Sequence, residues 1–194
     1  MLLTCYLILN SQFAVATNPT PTPSPTNSSL VLKLETPQEF LAQAEQAVKE
    51  EKFKTAIKHY LDYLRRFPAD SKYLNTRYLL GLAFIETKDW KKAGVEFNSV
   101  IEKWQLSEPN ALAARLKLSR VYIELRKWSE AVLLAQEVLD HSPETSDLRP
   151  EAHWLQARAH FENHNPLEAK KAADRYFSGS NGKNLNLISS AELY

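Results

Sequence analysis

Glycine is scarce in this chain, four residues in 194, and that scarcity removes most of the material for phosphate-cradling loops and Gly-punctuated sheet turns. Cysteine is rarer still. Cys5 alone excludes an internal disulfide framework, and no Cys/His cluster has the spacing of a zinc site. Neither sign of charge is in excess, with 24 Lys+Arg against 23 Asp+Glu, so nothing suggests binding driven by nucleic-acid phosphates or an anionic membrane. No apolar run approaches the ~20 residues that span a bilayer. No Ser-His-Asp ordering or carboxylate pair is placed by a motif, so neither catalysis nor a cofactor has support. What the chain does have is Ala, Leu, Glu and Lys crowded into residues 37–177, a balance that favours an all-α fold. The length suits one domain.

The front of the chain reads as an address followed by a tether. Residues 2–9 (LLTCYLIL) are almost wholly apolar, and Ala14-Val15-Ala16 then supplies the small-x-small pattern of signal peptidase cleavage. Residues 1–16 are therefore expected to be a signal peptide, the exported form starting at Thr17. The first basic residue is Lys33, so the usual basic leader segment is missing, which a start codon further upstream would supply. Apolar YLIL follows Cys5 where a lipid-modified cysteine would need a polar tether. Residues 17–35 form a Pro/Thr/Ser-rich linker, stiffened toward polyproline II by Pro19, Pro21, Pro23 and Pro25. Asn27-Ser28-Ser29 matches a glycosylation sequon, which matters only in a eukaryotic secretory pathway.

Self-comparison is the informative step. The segments KFKTAIKHY (52–60), DWKKAGVEF (89–97), KWSEAVLLA (127–135) and NPLEAKKAA (165–173) share a signature whose alanines, Ala56, Ala93, Ala131 and Ala169, stand 37, 38 and 38 residues apart. That period is too long for a heptad and fits a helix pair. Twelve residues before each alanine is a small residue, Ala44, Gly81, Ser119 or Ala157, where a wide side chain would hold paired helices apart. Three residues before it come Phe53, Trp90, Trp128 and Pro166, the last suited to a first helical position. Thr36-Pro37-Gln38-Glu39 reads as a capping box opening the first helix. Helices are expected at 37–50, 53–67, 73–87, 89–104, 109–125, 127–141, 149–163 and 166–177. The repeat domain is placed at 36–178. Residues 179–194 are read as a linker and the opening of a fifth, truncated repeat, because SSAELY resembles the start of a first helix such as TRYLLG (76–81).

Over positions 37–177 the chain resembles the tetratricopeptide repeat family. The resemblance implies a right-handed α-solenoid of about four helix pairs that binds a protein or peptide. The lengthened unit, with linkers such as RRFPADSKYLNTRYLLGLAF (65–84), is similar to bacterial envelope members of the family, the periplasmic partner of the Tol–Pal system and the lipoprotein of the outer-membrane barrel-assembly machine. It implies a periplasmic or secreted protein. The asparagine-and-lysine carboxylate clamp of chaperone-binding members is not evident.

In this family the concave groove is lined by the first helix of each pair. Helical spacing puts three sets on one face: Leu41, Tyr78, Leu116 and Trp154; Glu45, Leu82, Arg120 and Arg158; Lys49, Glu86, Glu124 and Glu162. Tyr78, Leu82, Leu116, Arg120, Trp154 and Arg158 are the candidate partner-binding residues, the aromatic and arginine side chains being of hot-spot type; Trp154 and Leu116 can equally be core between repeats. The outer helices are expected to display scattered charge. His160 and His164, four apart, read as packing and turn residues rather than a metal site. Three functions fit: an interaction scaffold of the cell envelope, an accessory module of an envelope assembly or export machine, and a structural protein that self-associates through its end repeats.

Overall fold

The computed structural model describes residues 36–106 and 109–179. Within them lie eight α-helices: α1 (Pro37–Lys49), α2 (Phe53–Arg66), α3 (Tyr73–Glu86), α4 (Trp90–Ile101), α5 (Pro109–Glu124), α6 (Trp128–His141), α7 (Leu148–Glu162) and α8 (Pro166–Gly179). No described residue is in a strand. The expected leader, linker and fifth repeat lie outside the described residues. The helices pack as consecutive pairs, and each second helix also packs on the next first helix. No described helix is long and apolar enough to cross a membrane.

Local chemistry starts the first pair. The Thr36 hydroxyl accepts from the Glu39 amide at 3.3 Å, the Glu39 carboxylate accepts from the Thr36 amide at 2.8 Å, and Pro37 sits just inside the helix. The repeated small residues then let the paired helices close. Ala44, Ala56, Ala93, Ser119 and Ala131 are completely buried, and the Ser119 hydroxyl donates to the Ala131 carbonyl at 2.8 Å. The twelve-residue spacing in the sequence is thus a contact between the two helices of a pair. At Gly81 the approach is tighter: a Cβ there would lie 2.8 Å from Cζ of the buried Phe97 ring, so the missing side chain is what admits the ring.

All four turns within pairs are built alike. Glu51, Lys88, Arg126 and His164 have φ of 56–59°, the left-handed conformation that usually calls for glycine. In each turn the next amide reaches back to close a six-residue loop: Lys52 to Ala47, Asp89 to Phe84, Lys127 to Tyr122 and Asn165 to His160, at 2.8–2.9 Å.

Two clusters make the core. The front one gathers Phe40, Tyr60, Tyr63, Phe84 and Phe97 with Leu118 and Val121; the rear one is mainly aliphatic, with Leu112, Leu116, Ile123, Val138 and Leu155. Helix α5 therefore feeds both cores, one from each flank, which is why apolar residues surround it instead of forming one stripe.

Two helix ends differ from expectation. Helix α4 stops at Ile101, not 104, and the Trp104 ring turns back to lie 6.2 Å from that of Tyr78; burying the indole outweighs one more helical turn. Helix α8 runs on to Gly179. The outer helices also carry more than scattered charge: Leu61, Val95, Leu133, Leu167 and Phe177 are each 47–64% exposed.

Candidate interaction surface

First helices meet one another, α5 with α7 closely and α3 with α5 sparsely, whereas no two second helices pack closely among the described residues. The first helices α3, α5 and α7 therefore share one side of the stack. On that side Lys117 Nζ donates to Glu151 at 2.8 Å and Arg158 Nη2 donates to Glu124 at 2.8 Å, each pair 34 positions apart. All four side chains are 26–28% exposed. Arg158 also approaches Glu162 at 3.7 Å, and its guanidinium lies 5.7 Å from the centre of the Trp154 ring.

Along α5, Arg120 lies between Lys117 and Glu124, and along α7, Trp154 lies between Glu151 and Arg158. Arg120 is exposed and has no ion-pair or hydrogen-bond partner among the described residues. Trp154 is partly buried, and its indole N–H is shut away from solvent without an acceptor among the described residues, an arrangement that costs stability rather than adding to it. On α3, Tyr78 and Leu82 are partly buried against the front core, Tyr78 with its ring 5.7 Å from Phe97. Burial raises the pKa of the Tyr78 hydroxyl, helped by the negative charge of Glu151.

The six candidate residues thus separate. Arg120 offers a free charge, and Trp154, Tyr78 and Leu82 offer partial apolar surface. Arg158 spends its charge on Glu124 and Glu162. Leu116 is completely buried in the rear core and has no side-chain surface to offer, because α5 is packed on both flanks. Sequence reasoning missed the two ion pairs, although the shared 34-residue offset of Lys117/Glu151 and Glu124/Arg158 was visible. His160 is partly buried on α7 and His164 occupies the left-handed turn; no group of three or more metal-ligating side chains gathers among the described residues.

A second concavity, a cleft of about 800 Å³, opens between the end of α6, the start of α7 and the end of α8. Several of its charges are engaged within the protein. Arg149 donates to the carbonyls of Leu139 at 2.6 Å and Ser142 at 3.2 Å and pairs with Glu144 at 3.0 Å. Asp140 accepts from Gln136 and Asp174 from Lys170. His153 lines the cleft, its pKa pushed down by burial and by the charges of Arg149 and Arg175.

Helix pairs repeating in this way are the architecture of an interaction solenoid. The sequence model of the tetratricopeptide repeat matches residues 41–108 and 116–181, and the chain belongs to that family, whose members are generally non-catalytic scaffolds. No curated protein matches the chain. Among solved structures, MamA of AMB-1 superposes with a TM-score of 0.64 at 16% identity, over 76% of this chain and 80% of that one. BtubC from P. vanneervenii superposes at 0.68 and 10% identity, over 84% of this chain and 70% of that one. A tetratricopeptide repeat protein from Parabacteroides merdae gives 0.61 at 15% identity, over 80% of this chain and 55% of that one, so the chain spans about half its length. Likeness at such identities establishes the fold.

Proposed function

We propose that this chain is a non-catalytic scaffold of the bacterial cell envelope that holds a partner protein or peptide against its first helices. The observation that carries the reading is the α5–α7 surface, where two ion pairs join the helices and exposed Arg120 and partly buried Trp154 lie along them between the paired residues. Arginine and tryptophan at the centre of such a surface are the types that dominate binding energy. Export rests on the leader-like residues 1–16 and the proline linker that follows. The lengthened repeat supports kinship with the envelope members of the family, as scaffold or as accessory module of an assembly or export machine.

For the groove, the test is capture of partner from an envelope extract by wild type and variants whose helicity is checked by circular dichroism. Trp154→Ala should weaken retention by ~2 kcal/mol or more, and Arg120→Glu should weaken it too. Lys91→Glu, on α4, should change it by less than ~0.5 kcal/mol. If folded groove variants hold the partner while Lys91→Glu loses it, the reading fails. N-terminal sequencing of the exported form should begin at Thr17. Self-association is favoured by a separate observation, the exposure of Leu167 and Phe177 on α8. Concentration-dependent light scattering that disappears in Leu167→Glu would establish it.

A further inference from the structure

The small residues at the helix crossings recur in every repeat, but the side chains four positions before them do not. In repeats two and three that place holds Arg77 and Arg115, each bonded at 2.8 Å to a carboxylate of the paired second helix, Glu96 and Glu137 respectively. Repeat four puts His153 there, and Arg175 takes the register of Glu137. Two basic groups thus stand where an ion pair stood. Arg175 is near enough that its charge, after burial and Arg149, pushes the His153 pKa down, against the opposing influence of Gln156 and Glu144. Exposed Arg175 makes no hydrogen bond or ion pair among the described residues; Glu168 feels its charge but is bonded to Lys171 at 2.6 Å.

His153 and Arg175 line the cleft of about 800 Å³ between α6, α7 and α8. Its acids are not alike. Glu144 is paired with Arg149 at 3.0 Å, Asp174 with Lys170 at 2.9 Å, and Asp140 accepts from the neutral Gln136 amide at 2.7 Å. Asp147, exposed at the head of α7, has no hydrogen bond or ion pair among the described residues, Arg175 included. The cleft therefore carries an unpartnered cation on α8 and an unpartnered acid at the start of α7. Positions 149 and 153 lie roughly opposite 151, 154 and 158 around α7, so this is not the side that carries the two ion pairs to α5.

We propose that this cleft binds a small zwitterion, of the class of a free amino acid or short peptide, with its carboxylate on Arg175 and its ammonium on Asp147. A guanidinium fork matches a planar carboxylate. Asp140 and Asp147 repel a plain anion and reward one that also carries a positive group, which sets the ligand apart from phosphate. The cleft is of ordinary size for a small ligand, and an extended tripeptide spans roughly 10 Å.

The experiment is NMR titration of the isotope-labelled chain with trialanine, N-acetyl-trialanine and trialanine amide. Trialanine should shift the amides of 144–153 and 174–178 saturably, and removal of either charge, by acetylation or amidation, should weaken it about tenfold. Arg175→Gln should weaken trialanine by a similar factor and leave the amide unaffected; Asp147→Asn should weaken it and leave the N-acetyl peptide unaffected. Arg175→Glu, which puts a carboxylate where repeat three has one, should abolish binding. Both residues are exposed and unpartnered, so helicity by circular dichroism should be unchanged. Equal binding of all three peptides, indifference of trialanine to any of these variants, or no saturable shift overturns the proposal. The groove variants lie elsewhere, and their result is independent of it.

Discussion

Repeats three and four meet along their first helices; repeats two and three scarcely do. Between α5 and α7 the inner seam is closed by Lys117–Glu151 and Glu124–Arg158. Between α3 and α5 the first helices touch only sparsely, and the join is made behind them, where α4 lies on α5. There Gly94 is bare, and a Cβ on it would stand 3.6 Å from Val121 and 4.0 Å from Leu118. Behind the polar inner seam α6 also packs on α7 through apolar residues, so the two joins differ at the groove and are alike at the back. A common period does not impose a common interface, because the backbone repeat fixes where helices lie and the side chains decide how neighbours adhere.

The largest effect should come from the buried seam's own repeat. Phe97→Ala empties the space that Gly81 leaves for the ring, and should cost ~3–5 kcal/mol in denaturant unfolding. Hydrogen exchange then discriminates: amides of α3 and α4 should lose protection before those of α7 and α8 if the repeats behave as a linear array. Uniform loss of protection would show that α5, shared by both cores, couples the whole domain.

The polar seam should matter less. Lys117→Met or Glu124→Gln should cost ~0.2–1 kcal/mol each, because the side chains are only partly withdrawn from water. The loss should shrink at high salt. A cost above that range would mean that the ion pairs hold α5 and α7 together rather than setting their register.

At the turns the sign reverses. Arg126, held at φ 59°, bears ~1 kcal/mol of left-handed strain. Glycine removes it while adding unfolded-state entropy, so Arg126→Gly should raise stability by ~0.5 kcal/mol in urea. Glu51→Gly should do the same at the front pair.

The smallest effect concerns pH. Burial first, and then Arg149 and Arg175, depress the pKa of His153 below its ordinary 6.5. The unfolded chain therefore takes up a proton that the folded chain resists, and stability should decline as pH falls below 6.5. His153→Gln should flatten the wild-type difference in urea midpoint between pH ~7.5 and ~5.5.

The legible part of this protein is the part that depends on neighbours in sequence or on a fixed spacing. Thr36 and Glu39 announce the first helix, because a capping box is closed within four residues. Ser119 and Ala131 announce the helix pair, because a short antiparallel turn sets which positions cross. Groove membership was readable only in part. Helical spacing put Leu116 and Arg120 on one face, yet one is sealed in the core and the other is exposed; periodicity assigns a direction around a helix but not the depth of what packs over it.

By itself, then, the sequence determined the helix pairs, their period and the small residues at which they cross, since these follow from local hydrogen bonding and from side-chain width. Only the tertiary structure decided that α5 serves two cores, that non-glycine residues fill all four left-handed turns, and that Arg120 is left without a carboxylate between two closed ion pairs. Those features depend on how far one first helix is displaced along the next. That displacement is set by the summed packing of side chains dozens of residues apart, which no local pattern records.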